Sequence, residues 1–199
     1  MNVYEYLNET AQESLNVREV FLKEEGARIV EAAQLLATCF KNGGKVLIFG
    51  NGGSASDAQH MSAELVGKML IPRNPLPAIA LTTDSSILTA LGNDFGYDEI
   101  FAKQILALAR KGDVLVAIST SGNSRNVLMG VQAAKKLGCQ VLALTGGAGG
   151  KLKNLVDICL NVSQGKNSCR IQETHIFAIH SIVDLMDRFF LQAKPEGQS

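Results

Sequence analysis

Short apolar runs, each closed by glycine or by small polar residues, recur along the chain. Their apolar character is continuous rather than alternating, which is typical of strands buried on both faces of a sheet. Stretches with helical spacing of apolar residues separate the runs. Strands that alternate with helices predict right-handed crossovers and an α/β fold with a doubly wound, five-stranded parallel sheet. The predicted strands cover residues 45–50, 78–81, 113–119, 140–145 and 158–162, and the predicted helices cover residues 54–69, 85–91, 98–110, 124–137 and 170–192.

The segment before the first strand has a purely helical pattern. Residues 3–41 contain no proline, and apolar positions such as Val17 and Phe21 recur at helical spacing. We expect two helices joined near Gly26, which form an N-terminal extension over residues 1–43.

No composition shift or linker divides the chain, so we expect a single domain over residues 1–199 with a loose tail at residues 193–199. The N-terminal helices carry more apolar side chains than one buried stripe requires, which favours a homo-oligomer. These side chains are Leu15, Val17, Val20, Phe21 and Leu22.

Charge and composition narrow the range of partners. The 19 Lys and Arg residues balance the 19 Asp and Glu residues, so bulk charge does not favour a nucleic acid. No apolar stretch is long enough to span a membrane, and the first residues lack the apolar run of a signal peptide. The four cysteines form no C-x-x-C pair. We therefore expect a cytoplasmic protein without a membrane segment.

The first predicted strand ends in a glycine-rich loop, Gly50-Asn51-Gly52-Gly53-Ser54. Such a loop lets backbone N–H groups approach an anion at a helix N-terminus. The loop lacks the lysine of a P-loop and the order G-x-G-x-x-G, so a nucleotide is the weaker interpretation. The alternative is a plain tight turn in which Ser54 caps the following helix.

A second polar loop follows the third predicted strand. Its sequence, Ser119-Thr120-Ser121-Gly122-Asn123-Ser124, provides four hydroxyl groups just before a helix. Hydroxyls at a helix N-terminus suit phosphate oxygens, although such clusters also occur in ordinary turns. Because the carboxyl ends of parallel strands share one edge of the sheet, two such loops favour a phosphate site there.

All three histidines lie in two predicted helices. His60 and Glu64 are four residues apart and project from one helix face, which suits two metal ligands or a base with its partner. A surface pair without function is the alternative. In the last helix, Gln172 and His180 share a broad face but stand about 12 Å apart along the axis. This helix is apolar, so its polar residues, Gln172, Glu173, His175 and His180, need partners, which backbone carbonyls could also provide.

Taken in order, the motifs resemble the sugar isomerase (SIS) superfamily and, within it, the phosphoheptose isomerases. The resemblance extends from Leu7 to Phe190 and rests on residues 50–60, 63–65, 81–84, 92–96, 112–115, 119–124 and 170–173. It implies a single SIS domain and the conversion of sedoheptulose 7-phosphate into D-glycero-D-manno-heptose 7-phosphate by enediol proton transfer. That reaction is the first step toward the ADP- and GDP-heptose precursors of bacteria, including those of lipopolysaccharide.

The resemblance also assigns roles to individual residues. It implies one zinc ion per subunit, proton transfer by Glu64 and His180, and tetramers with active sites at subunit interfaces. The implied zinc ligands are His60, Glu64, Gln172 and His180. The implied substrate-binding residues are Asn51, Gly52, Gly53, Ser54, Glu64, Asn93, Asp94, Ser119, Thr120, Ser121, Ser124 and Gln172. Some members have an aspartate where this chain has Cys169, so a sugar contact from that position is lost.

Two other functions compete with the isomerase. A non-enzymatic SIS protein that associates with the replication initiator keeps both loops but lacks the acidic and histidine groups that Glu64 and His180 supply here. A phosphosugar-sensing regulator would be joined to a DNA-binding domain, for which the sequence gives no basic excess or helix-turn-helix. The sequence therefore favours the enzyme.

Overall fold

The computed structural model describes residues 2–191, so the predicted tail at residues 193–199 lies outside the described residues. The five strands are β1 (Val46–Gly50), β2 (Ala78–Ala80), β3 (Val114–Ser119), β4 (Gln140–Gly146) and β5 (Ile158–Val162). The helices are α1 (Val3–Lys41), α2 (Gly53–Val66), α3 (Ser85–Phe95), α4 (Ile100–Leu108), α5 (Arg125–Lys136) and α6 (Ser168–Leu191). Single 3-10 turns occur at Tyr97–Glu99 and Leu152–Asn154.

The strands form one parallel sheet in the order β2-β1-β3-β4-β5, which confirms the predicted architecture. Every residue of β1 and β3 is buried, as expected for central strands covered on both faces. The direction in which the chain crosses the sheet reverses between β1 and β3. Ligands bind at such a switch point, beyond the carboxyl ends of the strands. The glycine-rich loop follows β1 and the serine loop follows β3, so the two loops flank this crevice.

Helices cover both faces of the sheet. One face packs against α1, α2 and α6, with Leu36, Met61 and Ile179 in the shared core. The other face packs against α4 and α5, with Phe101 and Val131 in a second core. Helices α1 and α6 also pack against each other. The layer of α2 and α6 is the part of the fold that carries all three histidines.

The N-terminal segment differs from the sequence prediction because α1 is one continuous helix of 39 residues, not two helices joined near Gly26. A glycine costs a helix roughly 1 kcal/mol. Buried residues on both sides of Gly26, such as Phe21 and Ile29, anchor α1 to the core and outweigh that cost.

The bounds of the other helices differ from the predicted ranges by one to four residues, and glycine accounts for two of the differences. Helix α2 ends at Val66 rather than at residue 69, because Gly67 follows. Helix α3 continues to Phe95, where Gly96 with φ +87° ends it. Helix α4 starts after a 3-10 turn and ends at Leu108. Among residues 2–191, no helix combines the length and the apolarity needed to cross a bilayer.

Candidate functional site

The loop after β1 approaches its neighbours so closely that only glycine fits. A Cβ on Gly50 would overlap the carbonyl oxygen of Ile118 in β3. A Cβ on Gly53 would overlap the side-chain amide of Gln172 in α6. The glycines therefore bring the start of α2 against both β3 and α6.

Gly52 is the N-cap of α2 and has φ +58°, a conformation that L side chains rarely adopt. Ser54 is buried, and its N–H donates to the carbonyl oxygen of Asn51 at 3.0 Å. The interpretation of Ser54 as an ordinary N-cap is therefore wrong. The helix N-terminus at the switch point is suited to bind an anion.

The serine loop after β3 presents hydroxyl groups at the same edge of the sheet. The Oγ atoms of Ser119 and Ser124 lie 3.1 Å apart. Ser121 is exposed, and its Oγ accepts a hydrogen bond from the N–H of Asn123 at 3.2 Å. Thr120 is half-buried. The loop thus combines paired and exposed hydroxyls at the N-terminus of α5, which suits phosphate oxygens.

The loop after β4 supports the serine loop. A Cβ on Gly122 would overlap the carbonyl oxygen of Gly149. The N–H of Leu152 donates to the carbonyl oxygen of Gly122 at 3.0 Å, and the N–H of Lys151 donates to Oδ1 of Asn123 at 3.1 Å. The sequence analysis assigned no role to this third loop, although four glycines among residues 146–150 mark it.

A pair of asparagines joins the glycine-rich loop to the start of α5. Nδ2 of Asn51 donates to Oδ1 of Asn126 at 2.8 Å, and Nδ2 of Asn126 donates to Oδ1 of Asn51 at 2.9 Å. The hydroxyl of Tyr97 donates to Oδ1 of Asn51 at 3.1 Å. The side chain of Asn51 is therefore part of the scaffold, which leaves its backbone for a ligand. Asn126 is buried in α5. The sequence analysis did not identify it, because a single asparagine within a predicted helix belongs to no recognisable motif.

His60, Glu64 and His180 come together from α2 and α6. Nε2 of His60 lies 3.1 Å from Oε1 of Glu64 and 3.2 Å from Nε2 of His180. One ligand atom from each of the three residues lies within 4.8 Å of the others. We refer to these three residues as the His-Glu-His cluster.

The geometry of this cluster fits a metal ion. Two ligand atoms bound at about 2.0–2.1 Å to a tetrahedral zinc ion stand about 3.3 Å apart. The two observed separations are close to that value. In addition, Oε2 of Glu64 is buried and has no hydrogen-bond partner among residues 2–191. Two imidazole nitrogens and a carboxylate are a donor set that zinc commonly takes.

Gln172 lies two turns before His180 on α6, with its amide against Gly53. Its role as a fourth ligand remains a prediction. His175 instead has a structural contact, because its fully buried ring bonds to the carbonyl oxygen of Thr145 at 3.1 Å. Burial lowers the pKa of His175 to about 4, although that hydrogen bond acts in the opposite direction. A backbone carbonyl therefore partners one ring nitrogen of His175, whereas its buried Nδ1 has no hydrogen-bond partner in the described part of the chain.

Asn93 and Asp94 lie on α3 and are exposed. Nδ2 of Asn93 donates to Oδ1 of Asp94 at 2.8 Å, and neither residue belongs to the His-Glu-His cluster. Their predicted contacts with sugar hydroxyls remain a prediction. Cys169 is exposed at the start of α6, so it does not pack in the core.

Asp57 is a titratable group near the cluster that the sequence analysis did not single out. It precedes His60 by three residues on α2 and is half-buried, and its Oδ2 has no hydrogen-bond partner in the described part of the chain. Burial raises the pKa of Asp57 to about 6, while the nearby His60 acts in the opposite direction. A carboxyl that titrates near neutral pH therefore lies close to the cluster.

Comparisons with known proteins identify the family of the chain. The sequence model of the SIS domain matches residues 9–146. A phosphoheptose isomerase of Campylobacter concisus is 55% identical over 159 residues, which are 80% of this chain and 84% of the relative. A phosphoheptose isomerase of Geobacter sulfurreducens is 50% identical over 172 residues, which are 86% of this chain and 90% of the relative.

Solved structures give the same result. The phosphoheptose isomerase of Neisseria gonorrhoeae superposes with a TM-score of 0.89 and 46% identity, over 94% of this chain and all of that one. The comparisons give no support to the initiator-associating alternative. The fold and these similarities together lead to one conclusion: the chain belongs to the SIS domain family and, within it, to the phosphoheptose isomerases.

Proposed function

We propose that this protein converts sedoheptulose 7-phosphate into D-glycero-D-manno-heptose 7-phosphate in the cytoplasm, as the first step toward bacterial heptose precursors, including those of lipopolysaccharide. The observation that supports the proposal most is that α2 and α6 bring Glu64 and His180 together on one face of the sheet. The two loops that suit an anion follow β1 and β3 at the carboxyl edge of the same sheet. An aldose–ketose isomerase that acts on a phosphosugar needs both parts.

The phosphate group binds at the two loops. The hydroxyls of Ser119, Thr120, Ser121 and Ser124, together with Ser54 and the backbone of Asn51, Gly52 and Gly53, provide the donors. Helix N-termini favour the negative charge, so the site needs no lysine. The sugar hydroxyls reach Asn93 and Asp94.

The metal is one zinc ion per subunit, held by His60, Glu64, Gln172 and His180. When bound, zinc polarises the carbonyl and hydroxyl oxygens of the substrate as a Lewis acid. The support is the separation of the ligand atoms in the His-Glu-His cluster and the unpartnered Oε2 of Glu64.

Glu64 and His180 transfer the protons. One of them accepts the proton that leaves C1, the electron pair of that C–H bond forms the C1–C2 double bond of the enediol, and the oxygen on C2 takes up a proton. In the second half, the oxygen on C1 loses its proton to form the aldehyde, and C2 gains a proton.

The proposal includes a homotetramer. Helix α3, which carries Asn93 and Asp94, has no buried residue in the single chain. The first half of α1 exposes Tyr4, Leu7 and Leu15. Apolar surface of this extent commonly marks an interface, and a neighbouring subunit that covers α3 would also enclose the sugar.

The direct test is to incubate purified protein with sedoheptulose 7-phosphate and to follow the aldose product by NMR. The expected result is conversion to an equilibrium mixture, with loss of conversion after chelation and recovery when zinc is restored. Absence of conversion by zinc-loaded, folded protein would overturn the proposal.

A further inference from the structure

Arg73 lies in the loop between α2 and β2 and folds back onto the end of α2. Its Nη2 donates to the carbonyl oxygen of Glu64 at 2.9 Å, and its Nη1 donates to those of Leu65 at 2.8 Å and Gly67 at 3.2 Å. Carbonyls at the end of a helix lack intrahelical partners and carry the negative end of the helix dipole. One guanidinium therefore holds the main chain of the turn that carries Glu64.

The same guanidinium reaches across to α6. Its Nε donates to Oδ1 of Asp187 at 2.5 Å, and the two side chains are only 2% and 1% exposed. The planar fork of an arginine can bond several acceptors in fixed directions at once, which the single ammonium of a lysine cannot do. The pair therefore joins the end of α2 to α6. We call Arg73 and Asp187 the helix clasp.

The position of Asp187 relates the clasp to the His-Glu-His cluster. Asp187 follows His180 by seven residues on α6, which is two turns, so the two side chains lie about 20° apart around the helix and about 10 Å apart along it. On α2, the clasp bonds the carbonyl of Glu64 itself. The clasp therefore bridges the same pair of helices, on the same face of α6, as the 3.2 Å approach of His60 and His180.

We propose that Arg73 and Asp187 are positioning residues that fix α2 against α6 and so set the separation of Glu64 and His180. They act through the main chain of Glu64 and through the register of α6. This inference rests on the proposed function, in which Glu64 and His180 bind the metal and transfer protons.

The first test is Arg73→Lys, which keeps a positive charge beside Asp187 but cannot bond all the carbonyls. We expect a folded protein whose zinc dissociation constant, measured on the stripped protein with a competing chelator, rises about 10- to 100-fold. We also expect kcat to fall roughly 10- to 100-fold, because misplacement by about 1 Å costs that much. KM and the inhibition constant of inorganic phosphate should change little, since the phosphate loops lie elsewhere.

A second variant guards against misfolding. Arg73→Met with Asp187→Leu removes both charges, so no unpaired charge remains buried, and such replacements often leave folding intact. It should show the same loss of zinc affinity and of kcat. The matched control is Lys45→Met with Asp113→Asn, which removes a partly buried ion pair at the amino ends of β1 and β3. The control should lose thermal stability without a change in zinc affinity.

The outcomes separate this inference from the proposed function. Wild-type protein without isomerase turnover would refute the proposed function, while the zinc titration would still compare the variants. Folded clasp variants with wild-type zinc affinity and wild-type kcat would refute the positioning role. Equal losses of zinc affinity in the clasp variants and in the Lys45/Asp113 control would also refute it, because the effect would then follow general stability.

Discussion

At the scale of a single residue, Glu64 has two proposed roles: it is a metal ligand and a proton-transfer group. Glu64→Gln keeps the shape of the side chain but removes the base and weakens the ligand. We expect kcat to fall by about 100- to 10,000-fold, while folding and phosphate binding stay nearly intact. Steady-state kinetics and thermal unfolding check this, with Glu31→Gln on the exposed face of α1 as the control. Wild-type turnover in Glu64→Gln would exclude the assigned role.

His175 predicts a pH effect on the free energy of unfolding. Its pKa is about 4 in the folded protein, well below the ordinary 6.5. Between pH 6.5 and pH 4, His175 is therefore protonated in the unfolded chain but stays neutral in the folded chain. The free energy of unfolding therefore carries no penalty from His175 above pH 6.5. It decreases as the pH falls from 6.5 toward 4, by up to about 3 kcal/mol.

The effect is isolated by comparison of variants in metal-free protein, because Asp57 acts in the opposite direction. Its raised folded pKa of about 6 means that the folded chain takes up a proton first, which adds stability as the pH falls from 6. Denaturant unfolding between pH 4.5 and 7 should show a flatter acid loss for His175→Gln and a steeper one for Asp57→Asn. Parallel curves for His175→Gln and wild type would contradict the prediction.

At the scale of elements, the Asn51–Asn126 pair connects the glycine-rich loop to the helix that follows the serine loop. Asn126→Ala leaves the polar atoms of Asn51 without this partner, at a cost of about 1–3 kcal/mol in the free energy of unfolding. Because both loops that we propose to bind the phosphate lose their mutual support, KM should rise more than kcat falls. A double-mutant cycle with Asn51→Ala should show strong coupling, whereas additive effects on KM would mean that the pair does not act as a unit.

The sequence predicted the elements in which every side chain has the same kind of surroundings. Strands such as β3 are apolar throughout because both faces are covered, and the polar loops follow them directly. The break near Gly26 was wrong because packing of α1 against α6 depends on residues far away in the sequence. Likewise, the bonds of Arg73 and Asn126 join residues 114 and 75 positions apart, and no local pattern marks them. The distance between His60 and His180 depends on the packing of α2 against α6 in the same way.

At the scale of the whole molecule, the exposed apolar side chains of α1 predict assembly. Leu15 and Leu22 are each more than half exposed in the single chain. Sedimentation of the wild type should give a tetramer, and Leu15→Glu with Leu22→Glu should dissociate it and reduce turnover. Leu155→Glu, at a less exposed apolar position, is the control. A fully active wild-type monomer at assay concentration would contradict both the assembly and the sharing of sites between subunits.

The packing of α1 against α6 also has a consequence for synthesis on the ribosome. Roughly 130 residues separate the end of α1 from the start of α6. At a translation rate of about 5–20 residues per second, the nascent chain exposes the face of α1 that α6 later covers for roughly 6 to 25 seconds. For most of that interval His60 and Glu64 are present without His180, so the His-Glu-His cluster forms only after α6 has been synthesised. That face of α1 therefore stays uncovered until α6 has left the exit tunnel.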